Sequence, residues 1–179
     1  RSGKTSILLS VCRRITNQNG FASIIDCQLL YQLPWYAALY HVAFTINSDH
    51  HAKVVINEAE YTDEKATITF ARDIEKIHKK LRKSVLLAFD EIEQITFGVS
   101  FGEAWRNGSS YVRFWHSLRS LAQRQENPVT LLLAGTNPRC LETPFVMGGD
   151  NPLYGHVKPE YIPGFSLPQA KQMDYPVFH

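Results

Sequence analysis

No run of eighteen consecutive apolar residues occurs in this 179-residue chain, so it offers no candidate membrane span. Cysteine is scarce. Cys12, Cys27 and Cys140 are too few and too scattered for a disulfide framework or a zinc site. Cys12 and Cys27 sit among apolar residues and read as small core fillers, which makes a reducing cytoplasm the default compartment. Strong charge of either sign is also lacking: the formal net charge is +2, which argues neither for nor against a nucleic-acid partner. Proline is nearly absent from the first two thirds, because of the nine prolines only Pro34 precedes Pro128. The last third is therefore rich in loops, and the periodic segments lie before it. No signal-peptide pattern, internal repeat or low-complexity tract is found. What remains is ordinary for one globular domain, with 44% hydrophobic and 20% charged residues and enough length for a sizeable core.

The periodic segments alternate in type. Ser6 to about Asn17 reads as a helix, with Ile7, Leu8, Val11, Cys12 and Ile15 on one stripe, and Asn19-Gly20 stops it. F-A-S-I-I-D-C, residues 21–27, is a short apolar run after a glycine and reads as a buried strand. A helix is expected from Leu33 to about Ile46, with Pro34 in its first turn. A-K-V-V-I-N, within 47–68, fits strand and helix equally. Phe70, Ile74, Ile77 and Leu81 mark a helix over 70–81. S-V-L-L-A-F, residues 84–89, is an apolar run ending in acid and reads as a buried parallel strand, and V-T-L-L-L-A, residues 129–134, reads as a second fully buried strand. Between them a loop is expected over 98–108 and a helix over 111–123. A short strand near Tyr161 and a helix starting at Ser166 follow, the latter from the spacing Ser166-x-x-Gln169 with Pro168 in the first turn. Strands alternating with helices mean an α/β layer fold with a parallel sheet.

Three stretches carry chemistry. The chain opens R-S-G-K-T-S. Gly-Lys-Thr is weak as a tripeptide, but here it leads straight into a helix, whose first N–H groups and positive dipole end suit phosphates. Gly3 allows close backbone approach, Lys4 can reach the outer phosphates, and the Thr5 hydroxyl can bind Mg²⁺. The second stretch is V-L-L-A-F-D-E, residues 85–91. It sets Asp90 and Glu91 at the carboxyl end of a buried strand, where ligands bind in open α/β sheets. One acid there can hold a Mg²⁺ shell, and its neighbour can polarise an attacking water. The bland alternative is a strand ending in solvated charge. The third, T-L-L-L-A-G-T-N at 130–137, puts Thr136 and Asn137 just past a second buried strand, where a polar side chain can contact a phosphate or the water. Gly-Thr-Asn-Pro is also good turn chemistry.

In this order, R-S-G-K-T-S, L-L-A-F-D-E-I-E and L-L-L-A-G-T-N-P resemble Walker A, Walker B and sensor 1 of P-loop ATPases of the AAA+ and STAND group (signal-transduction ATPases with numerous domains). Three stretches are similar to bacterial STAND-type ATPases in particular. These are D-E-I-E followed by an aromatic helix (Tyr111, Phe114, Trp115) ending L-R-S-L-A-Q, then D-N-P-L-Y at 150–154, then Y-I-P-G-F-S at 161–166. The likeness spans most of residues 1–170, thinly over 30–68. It implies a P-loop NTPase core over 1–165, a three-layer α/β/α fold with a mostly parallel, five-stranded sheet. Tyr161 to Phe165 would lie near the last strand, and a helical lid or linker would occupy 166–179. It implies that Ser2, Gly3, Lys4, Thr5 and Ser6 bind the phosphates of ATP. Thr5 and Asp90 would hold Mg²⁺, Glu91 would act as catalytic base, and Asn137 or Thr136 as the sensor. No N/T-K-x-D guanine signature appears, which favours ATP over GTP.

The implied function is a slow, regulatory ATPase switch, cytoplasmic, joined to effector or sensor domains in the same polypeptide and self-associating on activation. Bacterial members of this group often serve in signalling and antiviral defence. Two departures are noted. The first Walker A glycine and the strand before it are not in the sequence, so a longer polypeptide is expected. The ending M-D-Y-P-V-F-H does not suit a lid helix, because Asp174-Tyr175-Pro176 breaks it. A DNA-acting AAA+ motor and a non-hydrolysing nucleotide-bound scaffold are the alternatives. The basic run K-I-H-K-K-L-R-K, 76–83, reads as a solvated helix face with Glu75–Lys79 support. Arg119, Arg124 and Arg139 are candidates to reach a neighbouring subunit's phosphate, Arg139 first. His50-His51 reads as loop surface, and Trp35, Trp105 and Trp115 as core or interface packing.

Overall fold

Three apolar runs, β1 (Phe21–Asp26), β2 (Val85–Asp90) and β3 (Val129–Leu133), pair in parallel in the order β1-β2-β3. The computed structural model describes residues 3–162, and the protein is an α/β fold with helices on both sheet faces. Only β2 is covered along most of its length. Ile24 in β1 and Thr130 in β3 are exposed, and Val129 alone of β3 is fully buried, so the fully buried strand expected over 129–134 is corrected to a partly covered edge strand. Parallel pairing brings all three carboxyl ends to one edge, with Asp26 opposite Asp90 and Phe89 opposite Leu133.

One face is covered by α1 (Lys4–Asn17). Leu8 and Cys12, one turn apart, pack on Ala88 beside Ala22, Leu86, Leu132 and Ala134. The other face is covered by α2 (Trp35–Asp49), α3 (Ala66–Leu81) and α5 (Ser109–Ala122), which share a core with Val85, Leu87 and Phe89. Aromatics build its centre: Phe89 meets Trp115 at 5.1 Å and Phe114 at 6.1 Å, both edge-on, and Phe114 meets Trp105 at 5.4 Å. Full burial of one such ring contributes roughly 2–3 kcal/mol. Trp35, Trp105 and Trp115 are all buried, as core packing requires.

Several boundaries differ from the sequence expectation. Pro34 is extended and stands just outside α2, and α3 starts four residues early, at Ala66. A four-residue helix, α4 (Glu103–Arg106), lies in the expected 98–108 loop and buries Trp105, whose indole N–H donates to the Leu33 carbonyl at 2.9 Å. A-K-V-V-I-N forms neither strand nor helix. The Asn47 side chain brackets it instead, donating to the Val54 carbonyl at 3.0 Å and accepting from the Val54 N–H at 2.9 Å. His50 is not loop surface but sits against Phe21, its Nε2 3.1 Å from Ser23 Oγ. Glu75 pairs with Arg124 rather than with Lys79. No strand forms at Tyr161 and Ile162. The expected helix at Ser166, the 166–179 lid and Ser2 lie outside the described residues.

After β3 come α6 (Arg139–Glu142) and a two-stranded hairpin, β4 (Phe145–Val146) with β5 (Gly149–Asp150). Against the five-stranded, mostly parallel sheet implied by the resemblance, a three-stranded parallel sheet is found among the described residues. The outer edge of β3 explains a further difference. Pro128 O and Ala134 N bond to β2, so by strand alternation Val129, Leu131 and Leu133 turn their backbone groups the other way. Among the described residues no strand pairs with that edge. Of the expected α1 stripe, Leu8 and Cys12 are buried, while Ile7 and Val11 remain exposed and border the groove beside this edge.

Candidate functional site

The chain enters α1 at Gly3, in the left-handed conformation (φ 70°), with nothing within 4 Å of where a side chain would begin. The first helical bond runs from Ile7 N to Gly3 O at 3.0 Å. The N–H groups of the first turn, Lys4, Thr5 and Ser6, precede that bond and point along the helix axis toward its start, as at any helix N-terminus. No acidic residue lies in the first turn and Gly3 brings no side-chain cap, so the helix does not offset its own positive dipole end. Lys4 borders the groove of about 970 Å³ that also touches Ala134, Thr136 and Asn137. Ser6 is exposed on the helix.

Thr5, eighty-five residues from Asp90 in sequence, donates its hydroxyl to Asp90 Oδ2 at 2.8 Å. The other Asp90 oxygen accepts the Glu91 N–H at 3.0 Å. Glu91 is left-handed (φ 55°), uncommon for a residue with a side chain. Its conformation shifts the ladder by one residue: Ala134 O is reached by Ile92 N, at 3.1 Å, instead of by Glu91 N. The result is a local bulge at the strand exit, the setting in which backbone irregularity re-aims a side chain.

Two further residues join the site that motif reasoning did not single out. Gln28, in the 3-10 turn Cys27–Leu29 after β1, donates its side-chain amide to Glu91 Oε2. Its own N–H is held by Asp26 Oδ1 at 2.9 Å. Glu93, in the turn Ile92–Ile95, accepts twice from Thr136: from Oγ1 at 2.6 Å and from N at 3.2 Å. The signal for Gln28 was its place just past a buried strand, at the ligand end of the sheet. That for Glu93 was the third acid of D-E-I-E.

Asn137 Oδ1 accepts from the Arg139 N–H at 3.0 Å. The Arg139 guanidinium lies over the Phe97 ring at 5.3 Å, against Gly98. Arg139 thus packs on its own chain, and Arg124 pairs with Glu75. Arg119 borders the groove, its Nε 3.4 Å from Gln123 Oε1.

The strand ends are strongly negative. Burial raises the Cys27 thiol well above its ordinary value, and the charges of Asp26, Asp90, Glu93 and Glu91 add to that rise, in that order. Among the described residues no three His, Cys, Asp or Glu side chains are set to hold a metal alone. A hydroxyl beside one carboxylate is instead the sparse, all-oxygen donor set that suits Mg²⁺ when substrate phosphates complete its shell. No helix among the described residues is long and apolar enough to cross a membrane. No family model matches the chain, and no curated protein and no solved structure matches it.

Proposed function

We propose that this chain is the nucleotide-binding core of a STAND-type P-loop ATPase, a slow regulatory switch within a larger multidomain signalling or defence protein. The observation that supports it best is the Thr5–Asp90 hydrogen bond at 2.8 Å. The packing of α1 on β2 brings any helix start to the strand exits; what the Walker A and Walker B readings require beyond that is that the Thr5 hydroxyl meet Asp90 there. In this reading the N–H groups at the start of α1 and the Lys4 ammonium bind the β- and γ-phosphates of ATP. With its proton given to Asp90, the Thr5 oxygen keeps its lone pairs for Mg²⁺. The metal, when bound, neutralises charge on the phosphates.

Glu91 accepts a proton from the attacking water as its oxygen bonds to the γ-phosphorus and the bond from that phosphorus to the β–γ bridging oxygen breaks. Gln28 occupies one oxygen of that base, which supports reading the switch as restrained and slow. Switching then needs ATP to bind one arrangement of the attached domains better than the other. The test is equilibrium ATP binding and turnover in the full-length protein. Lys4→Ala should weaken binding, and Glu91→Gln should retain binding and abolish turnover. If neither variant changes affinity or rate, the proposal is wrong. The Gln28–Glu91 bond also favours a second reading, a nucleotide-bound scaffold that does not turn over; single-turnover hydrolysis by the wild-type protein separates the two.

A further inference from the structure

Resting on the ATPase reading, we infer that Glu93 is a positioning residue that commits Thr136 to a holding role and leaves Asn137 as the donor facing the phosphate. A hydroxyl has one proton. The Thr136 hydroxyl gives its proton to Glu93 Oε1 at 2.6 Å, and the Thr136 backbone N–H goes to the other oxygen at 3.2 Å. A phosphate oxygen accepts hydrogen bonds and needs donors, so Thr136 has nothing left to offer it.

Asn137 is arranged the opposite way. Its Oδ1 is fixed by the Arg139 N–H at 3.0 Å, which turns the amide nitrogen, with two donors, to the other side. Among the described residues no partner takes those donors, and Asn137 borders the groove that Lys4 also borders. Gly135 leaves room for this clamp. A Cβ on Gly135 would come within 2.7 Å of both Glu93 Oε2 and Ile92 Cγ1. The carboxylate also continues the sheet where its backbone ladder ends, because Ala134 O takes the last rung, from Ile92 N. Glu93 therefore ties the exit of β3 to the turn that begins with Glu91, and so sets donor and base in one frame.

The experiment compares Glu93→Ala, Thr136→Val, Asn137→Ala and the Glu93→Ala/Asn137→Ala pair in the full-length protein. Each single variant should lower kcat by about tenfold or more, as misplacement of a positioned group does, with ATP affinity within about twofold. The double variant should fall no further than Asn137→Ala, since Glu93 acts through Asn137. Thr136→Ser keeps the hydroxyl and should restore the rate. Unchanged kcat in Glu93→Ala, or losses that multiply in the double variant, would overturn the inference. Amide exchange at Thr136 decides the clamp without ATP. Exchange should be about tenfold faster in Glu93→Ala, with Leu132 and Ala134 unchanged; equal exchange at Thr136 in both proteins refutes the clamp. Absence of turnover in the wild type would instead remove the ATPase reading and leave the clamp to be judged by exchange.

Discussion

Asn151 offers a test of the fold that needs no activity. Its side chain is buried and makes four hydrogen bonds. The amide donates to the Cys140 carbonyl at 2.8 Å and to the Thr143 carbonyl at 2.7 Å; its oxygen accepts from the Tyr111 hydroxyl at 2.9 Å and from Leu153 N at 3.0 Å. It therefore fastens α6 and the segment after the hairpin to the first turn of α5. Asn151→Ala removes all four at once. At about 1 kcal/mol per bond, and with the Tyr111 hydroxyl left only a 3.4 Å contact to the Cys140 carbonyl, the loss should be roughly 3–5 kcal/mol. Asn151→Asp is the sharper variant. It keeps both bonds made to the oxygen, but sets a carboxylate oxygen against two carbonyls in a buried site, and should destabilise at least as much. Urea unfolding followed by tryptophan fluorescence measures both. A loss below about 1 kcal/mol for Asn151→Ala, or an Asp variant as stable as wild type, would refute the assignment of D-N-P-L-Y as a structural pin.

Gln28→Ala should raise basal ATP turnover by about tenfold, since a neutral donor on a charged acceptor contributes about 1.5 kcal/mol toward holding Glu91; a slower variant in a phosphate-release assay would show that Gln28 assists Glu91 instead of restraining it. Stability should also fall in alkali. Burial pushes the Cys140 thiol up to about 11 from an ordinary 9.0, so its contribution is complete below 9.0 and is lost as pH rises through about 11, by roughly 2–3 kcal/mol. Denaturant midpoints from pH 8 to 11 should show this slope, with Cys140→Ala reducing it; an equal slope in that variant would count against the assignment.

What could be read in the sequence is what depends on local pattern. β2 shows as an apolar run because both its faces are covered, with Phe89 and Leu87 on one face and Ala88 on the other; β3 is apolar except for Thr130, which is exposed. The acids at 90–91 are placed by the end of the run. The helix after Gly3 follows from the spacing of Leu8 and Cys12. What could not be read depends on register between distant segments. Gln28 meets Glu91 only because β1 and β2 align Asp26 with Asp90. Glu93 meets Thr136 only because the Glu91 bulge advances the chain by one residue. Asn47 supplies both bonds to Val54 that a neighbouring strand would otherwise give, so A-K-V-V-I-N carries strand composition without a strand. The α1 stripe was drawn too wide for a similar reason: Ile7 and Val11 have the right spacing, but their burial depends on what lies beside β3.

The candidate site is held by polar ties between strand ends, while the core holds the strands themselves. Gln28 to Glu91, Thr5 to Asp90 and Thr136 to Glu93 link the exits of β1, β2 and β3 with the start of α1. All three ties end on a carboxylate, and Asp26 stands beside Asp90 as a fourth. Such a set repels itself, and the α1 terminus with Lys4 offsets it from one side only. A bound divalent cation would lower the repulsion at Asp90 first, because Asp90 shares the Thr5 contact. Phosphates would then lie at the positive end of the α1 dipole. Metal and nucleotide should therefore bind with positive coupling, each improving the site for the other. The Thr5–Asp90 bond is the point where that coupling passes, since the same two oxygens that meet in this structure would have to part, or share, to admit the ion.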